Sequence, residues 1–481
     1  PASYSVKHIP FDNKSWGQSP IYLLILIFSL TSLLSISLAL PITAAPLFKD
    51  TPFAAIWNAP TKVCNKHKIA LDFSAFQAVT TPVNIPDQLL VLFYYNRLGL
   101  YPYVDTSTGK QYNGGIPQKE NLTASLEKAL HDINHYIPEF TPGLAVIDWE
   151  SWRPLWARDW ASLDIYRSLS IQYAKEKDPS LSSNKAVDVA KEQFQKAARA
   201  YMEQTVQLGN NIRPKYLWGY YLYPDCYNYG WDKPGYTGEC PQREQILNNE
   251  LLWLWESSTA LYPSAYLSIG QKGKTSTTLF VRGRVKEAVR VSALPRKNYT
   301  DPIYTYLRPV FHDQNNVYLG EVDLVSTIGE SAALGTSGSS IVWTLYLTYF
   351  LSLARQASCE ALAAYLPSTL NPYVANVTAA AKLCSDTLCQ SNGRCVRKNP
   401  NSNVYLHLNP DHFNIQEHDG KYLAIGVPSL DDLNVFVDGF TCQCYEGYKC
   451  STNISISVPQ TQIVIQRNLK LKPQLLYQMS G

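Results

Sequence analysis

Gly143-Leu-Ala-Val-Ile-Asp-Trp-Glu-Ser-Trp-Arg-Pro154 decides the reading of the fold. An uninterrupted apolar run leads into two carboxylates, Asp148 and Glu150, spaced i and i+2. A continuous apolar run of strand length fits a strand covered on both faces, as in a parallel sheet. On a strand, i and i+2 project to one face, about 6.6 Å apart along the chain. At the C-terminal end of a barrel strand they stand at the mouth, where active sites form. Two acids held close and partly out of water cannot both ionise easily, so one pKa rises. A carboxylic acid kept protonated beside a glycosidic oxygen is what glycoside hydrolysis needs. A bare Asp-x-Glu is also compatible with a solvated strand end. The apolar run favours the site, as do Trp149 and Trp152, whose faces suit sugar rings, although Trp also serves as plain core.

Outward from this stretch the pattern repeats. Phe53–Trp57, Leu89–Tyr95, Tyr216–Tyr221, Ile303–Leu307 and Ser340–Trp343 are further apolar runs of strand length. Helical stretches lie between them. Asn121 to Ile137 opens on a capping-type Asn, and Lys185 to Leu208 is long, amphipathic and rich in Ala, Lys, Glu and Gln. Strand and helix alternating over roughly 330 residues predict an α/β fold, a (β/α)8-like, distorted TIM barrel, over residues 46–375.

The 481 residues are 46% hydrophobic with a net charge of +3, which excludes a mostly disordered chain and gives no reason to expect a nucleic-acid partner. No 20–50-residue period repeats, against a solenoid or propeller. Ile21 to Leu40 is a 20-residue run without charge, followed by small residues in Pro41-Ile-Thr-Ala-Ala45. It reads as a secretory leader over residues 1–45, with an uncleaved anchor as the rival and a buried helix as the plain alternative. Ten Cys and the sequons at Asn121, Asn298, Asn376 and Asn453 agree with export. The expected location is the secretory pathway, with a secreted, lysosomal or cell-surface destination. The stretch Leu471 to Gly481 lacks the apolar tail of a lipid-anchor signal, so a C-terminal lipid anchor would lie outside this sequence.

Six Cys fall in a second region, expected at 376–452, with a flexible tail over 453–481. Their spacing is Cys384-x4-Cys389-x5-Cys395, 46 residues, then Cys442-x-Cys444-x5-Cys450. This resembles a small, disulfide-rich EGF-like module carrying a long insertion. The resemblance implies Cys384–Cys395, Cys389–Cys442 and Cys444–Cys450, of the 15 pairings that six Cys permit. A zinc site is the alternative, but no His has matching spacing. Cys226 and Cys240 bracket a short Tyr- and Gly-rich loop and are expected to pair. Cys64 and Cys359 would then join the two ends of the large domain. No metal or cofactor is implied.

Ala145-Val-Ile-Asp-Trp-Glu-Ser-Trp-Arg-Pro-Leu-Trp-Ala157 resembles the signature of vertebrate hyaluronidases, the family 56 glycoside hydrolases. Phe93-Tyr-Tyr-Asn-Arg-Leu-Gly-Leu-Tyr-Pro-Tyr103, Leu217-Trp-Gly-Tyr-Tyr-Leu-Tyr-Pro-Asp-Cys-Tyr-Asn228 and Ser326-Thr-Ile-Gly-Glu-Ser-Ala-Ala-Leu-Gly335 extend the likeness, which runs from about Pro46 to Cys450. The resemblance implies substrate-assisted retaining catalysis, in which the substrate's acetamide attacks the anomeric carbon. Glu150 would be the acid and then the base. Asp148 would orient the acetamide nitrogen, and Tyr221 would position its oxygen. Tyr94, Asp225, Tyr266, Asp313 and Trp343 match groove positions, and Arg284 matches a basic position facing substrate carboxylates. Each Tyr is also compatible with core packing, and Arg284 with the polar face of a helix.

One stretch departs from the family. Gly338-Ser-Ser-Ile-Val-Trp343 carries one extra residue before the Trp, and Thr344 to Ala354 is about four residues longer than its family counterpart. A one-residue slip would turn Trp343 to the other face. The expected activity is an endo-β-N-acetylhexosaminidase acting on hyaluronan as a monomer, with some action on chondroitin. A chondroitin-preferring hydrolase and a weakly active hyaluronan-binding or adhesion protein are the alternatives.

Overall fold

Seven short strands run parallel around a common interior in a computed structural model that describes residues 40–58, 61–81, 85–342, 352–450 and 463–466. Leu90–Tyr94 pairs with Gly143–Asp148, which pairs with Tyr216–Tyr220. The segment 261–264 continues the ladder through isolated bridges from Tyr221 to Tyr262, from Leu261 to Ile303 and from Ser264 to Tyr306. Tyr304–Leu307, Gly338–Val342, Ala54–Asn58 and Ala78–Thr80 follow in parallel order. The parallel barrel-like sheet read from the sequence is therefore present. The register of Gly338–Val342 against Ala54–Asn58 is unbroken through Val342. Trp343 lies outside the described residues, as do Asn453 and the run Ile21–Leu40 apart from Leu40.

Strand parity explains the near-continuous apolar runs. Leu90, Leu92, Leu144, Val146, Tyr262, Tyr304 and Tyr306 pack into one inner cluster with Ile56 and Val342. The alternate residues Val91, Phe93, Ala145 and Ile147 join an outer cluster under the helices. Both faces are covered, so both are predominantly apolar. Gly143 and Gly219 permit the close spacing. A Cβ on Gly143 would stand 2.4 Å from the Leu89 carbonyl oxygen, and one on Gly219 would stand 2.2 Å from that of Ala260.

The helices follow the sequence pattern closely. Asn121 caps Leu122–Tyr136, its side chain accepting from the Ala124 N–H at 3.1 Å. Ser183–Ile212 buries Ala186, Ala190, Phe194, Ala198 and Met202, a stripe recurring every fourth residue as one helix face demands.

The Cys64–Cys359 disulfide closes a separation of 295 residues. Cys384–Cys395, Cys389–Cys442 and Cys444–Cys450 are bonded as well. Cys226 and Cys240 are not. Both are buried free thiols whose side chains hydrogen-bond each other, and the Cys240 Sγ also lies 3.4 Å from the Cys226 carbonyl oxygen. The boundary expected at residue 376 falls inside one helix, Asn371–Leu388, which also carries Cys384. Part of the expected tail is a strand, Ile463–Gln466, paired antiparallel with Leu423–Gly426.

Glu330 ties the C-terminal region to the barrel. Its fully buried carboxylate pairs with Arg282 at 2.7 Å and with Arg397. Arg397 belongs to the strand Gly393–Arg397, and Arg282 to the helix Thr275–Ser292.

Candidate active site

Inner-face parity continues past the hydrophobic layer into a polar one. Leu90, Leu92 and Tyr94 share a face, as do Leu144, Val146 and Asp148. Tyr94 and Asp148 are register partners at adjacent strand ends. Tyr221 extends the next strand, its N–H donating to the Ile147 carbonyl at 2.9 Å. Tyr266 follows from the bridging segment. Its ring centroid is 6.1 Å from that of Tyr221, and the two side chains hydrogen-bond.

Asp148 is the electrostatic centre of this ring. Among the described residues no N–H or hydroxyl donor reaches its buried Oδ1, and the side chain instead hydrogen-bonds Glu150. Burial first, then the Glu150 charge and that hydrogen bond, push the Asp148 pKa well up, while Arg153 opposes the rise. Of the pair, it is Asp148, half-buried with its Oδ1 enclosed, whose pKa is raised. Glu150 is exposed, as a group that must reach a glycosidic oxygen requires. The Arg153 Nη1 donates to the Glu150 carbonyl at 2.6 Å and fixes the backbone of that residue. Burial pushes the Tyr221 hydroxyl pKa up, with Glu150 adding to the shift, so the phenol stays a donor. Its oxygen is 3.5 Å from the Ser264 Oγ.

The structure thus gathers Tyr94, Asp148, Glu150, Tyr221 and Tyr266. It places other expected residues elsewhere. Arg284 is 5% exposed, 3.4 Å from Asp225, and donates to the Ser264 carbonyl and to Asn228. The reading of Arg284 as a groove cation is corrected, because a guanidinium enclosed this way cannot meet a polymer. Asp225 is likewise buried and accepts from the N–H groups of Cys226 and Tyr227, which fixes the loop after Tyr221. Asp313 sits in an exposed turn and accepts from the Ile269 N–H at 2.8 Å. Trp149 and Trp152 are core residues, each stacked on Tyr101, so they offer no sugar platform. Asn121 and Asn298 are exposed, whereas Asn376 lies half-buried in a helix with its Oδ1 held by the Leu408 N–H.

Two residues of the ring escaped the sequence reading. Tyr306 is buried 5.1 Å from Tyr221, centroid to centroid, and feels the Asp148 charge. The Arg308 guanidinium lies 5.8 Å over the Tyr266 ring. Both sit at or just past the end of the strand Tyr304–Leu307. The strand-end rule that singled out Asp148 applies to them equally.

A parallel barrel with a hydrogen-bonded carboxyl pair at a strand end, one half-buried and one exposed, fits a carboxylate-dependent glycoside hydrolase. The family model described as hyaluronidase matches residues 42–454. Human hyaluronidase PH-20 is 45% identical over 455 residues, covering 94% of this chain and 87% of the relative. Human hyaluronidase-4 is 45% identical, covering 84% of each chain. Bee venom hyaluronidase, solved in complex with a hyaluronic acid tetramer, is 30% identical with a TM-score of 0.58, over 67% of this chain and 98% of that one. The chain belongs to the hyaluronidase family.

Proposed function

We propose that this chain is an endo-β-N-acetylhexosaminidase that cleaves the β-1,4 bonds of hyaluronan, using the substrate's own acetamide as nucleophile. The observation that carries the reading is the shared hydrogen bond of Asp148 and Glu150 within a ring of tyrosines. The pair holds one proton, spends it in the first step and regains one from water in the second. The held proton passes through that hydrogen bond to Glu150, which gives it to the glycosidic oxygen as the C–O bond breaks. The acetamide oxygen then bonds the anomeric carbon, held by the Tyr221 hydroxyl. Asp148, now a carboxylate, accepts the acetamide N–H and stabilises the positive charge on that ring. Glu150, also a carboxylate, takes a proton from water, whose oxygen opens the ring with net retention. Tyr94, Tyr266 and Arg308 line the groove around this centre.

The secretory pathway is the proposed location, supported by four formed disulfides and by exposed sequons at Asn121 and Asn298. Residues 46–375 are the proposed catalytic domain. The first–third, second–fourth and fifth–sixth bonding of the last six Cys supports an EGF-like module after it. We further propose that the protein acts as a monomer and accepts chondroitin as a second polymer.

Product size on gels tests the reading. Hyaluronan and unsulfated chondroitin are incubated with wild type and Glu150→Gln from about pH 3.5 to about 7.5. Shortening of hyaluronan by wild type alone supports it. Shortening of chondroitin only would shift the substrate, and binding without cleavage by wild type would leave a lectin-like protein.

A further inference from the structure

A second cleft opens between the segment that follows the acid pair and the helix Gln242–Glu250. Its volume is about 340 Å³, and Ala157, Arg158, Trp160, Arg167, Arg243 and Glu244 line it. Three guanidinium groups meet one carboxylate there. Arg158 is 3% exposed and pairs with Glu244 at 3.0 Å, and its Nη1 has no hydrogen-bond partner. Arg167 donates to the Trp156 carbonyl at 3.0 Å and reaches Asp164 at 3.5 Å. Arg243 is exposed and makes no ion pair among the described residues. With Arg158 paired to Glu244 and Arg167 to Asp164, Arg243 is the cleft's surplus cation.

Trp160 is 51% exposed and meets Tyr227 only edge-on, at 5.9 Å. An exposed indole beside a surplus guanidinium group suits a sugar ring that bears an anion. The apolar ring face lies on the indole, and the anion takes paired N–H donors. Tyr227 also connects this cleft to the acid pair. The Arg158 guanidinium lies 5.4 Å over the Tyr227 ring, and the Tyr227 side chain hydrogen-bonds Arg153, which holds the Glu150 backbone.

We infer that this cleft is a subsite for an acidic saccharide unit remote from the scissile bond, with the ring on Trp160 and its carboxylate or sulfate ester on Arg243 and Arg167. The inference rests on the glycosidase reading above and extends it to a further part of the polymer.

The test uses the full chain carrying Glu150→Gln, so that ligand is bound and not consumed. Hyaluronan, sulfated chondroitin and neutral chitin oligosaccharides of equal length are titrated by calorimetry, with and without Arg243→Gln or Trp160→Ala. Arg243→Gln should raise the Kd of acidic oligosaccharides about tenfold and leave that of chitin oligosaccharides within about twofold. Trp160→Ala should weaken the acidic oligosaccharides comparably. A loss with hyaluronan assigns the carboxylate, and a loss confined to the sulfated ligand assigns the sulfate ester. Unchanged affinity for both acidic ligands in Arg243→Gln overturns the proposal, as does equal loss for acidic and neutral ones. If wild type cleaves no hyaluronan, the glycosidase reading fails, while these affinities still report on the cleft by themselves.

Discussion

The Tyr221 N–H meets the Ile147 carbonyl at 2.9 Å, so the two strands that carry Tyr221 and Asp148 end level with each other. The phenol and the half-buried acid are set by sheet register, with no loop conformation intervening. Placement by main-chain hydrogen bonds is stiff, and stiffness at this point is what an intramolecular attack by a substrate acetamide needs.

Glu150→Gln keeps shape and hydrogen-bonding atoms but has no acidic proton. Cleavage of hyaluronan should fall by about 10²–10⁴, with Kd for oligosaccharides changed little. Reducing-end release and calorimetry read the two quantities. Wild-type turnover in the variant would remove Glu150 from the role of acid.

Asp148→Asn tests the shared proton. Asn still fills the site but cannot pass a proton to Glu150 or carry charge against the acetamide. We expect kcat lower by about 10²–10³, with a smaller change in KM. Asp148 holds its proton above the usual carboxylate range, so wild-type activity should decline as rising pH strips that proton. The variant should show this limb of the pH profile displaced, and an unaltered profile would count against the shared proton.

Arg284→Gln separates scaffold from groove. Its pair with Asp225 is enclosed, and breaking it should cost about 3–5 kcal/mol of stability. Melting temperature should drop while KM for hyaluronan, measured below the melt, stays near wild type. A raised KM with unchanged melting would restore Arg284 to the groove.

Asp159 gives a pH dependence of stability. Burial pushes its carboxyl up to about 8 from an ordinary 3.8, with its hydrogen bond from the Arg153 N–H opposing the shift. From about pH 4 to about 8 the folded state keeps a proton that the unfolded chain has lost. Stability therefore falls as pH rises through that window and levels off above it. Asp159→Asn keeps an acceptor for Arg153 and should stabilise the protein at pH above about 8 by about 1–3 kcal/mol, with little effect near pH 4. Chemical denaturation at both pH values measures the difference.

Removing Cys64–Cys359 by paired Ala substitutions should cost about 5 kcal/mol, since the bond closes a 295-residue separation. Denaturant midpoints under non-reducing conditions test this. A midpoint equal to wild type would mean that the unfolded chain is already compact without the bond.

The sequence made the barrel legible where burial left a clean signal. Gly143 to Ile147 is covered on both faces, and an unbroken apolar run can mean little else at that length. The helix Ser183–Ile212 was legible because its Ala-rich stripe is periodic. The acid pair could be located because strand parity and strand ends follow simple geometry. What remained hidden depends on partners distant in sequence. Arg284 is enclosed by Asp225 and Ser264, and a helical pattern does not reveal that. Trp149 and Trp152 are stacked on Tyr101, so their apparent suitability for sugars was misleading. Cys226 and Cys240 bracket a loop and meet as buried thiols without bonding, a distinction that sequence spacing does not carry. Tyr306 and Arg308 obeyed the strand-end rule, but nothing in their own sequence context marked them out.

Glu330 has a consequence for how the molecule can be divided. Its carboxylate is neutralised from both sides, by Arg282 of the barrel and Arg397 of the disulfide-bonded region. A catalytic fragment cut after the helix Asn371–Leu388 would keep the acid pair and every tyrosine around it. It would also leave the Glu330–Arg282 pair opened to water where Arg397 had covered it. The C-terminal region thus acts as a fitted lid on the barrel wall, and the two regions share one buried charge cluster although the acid pair lies elsewhere on the barrel.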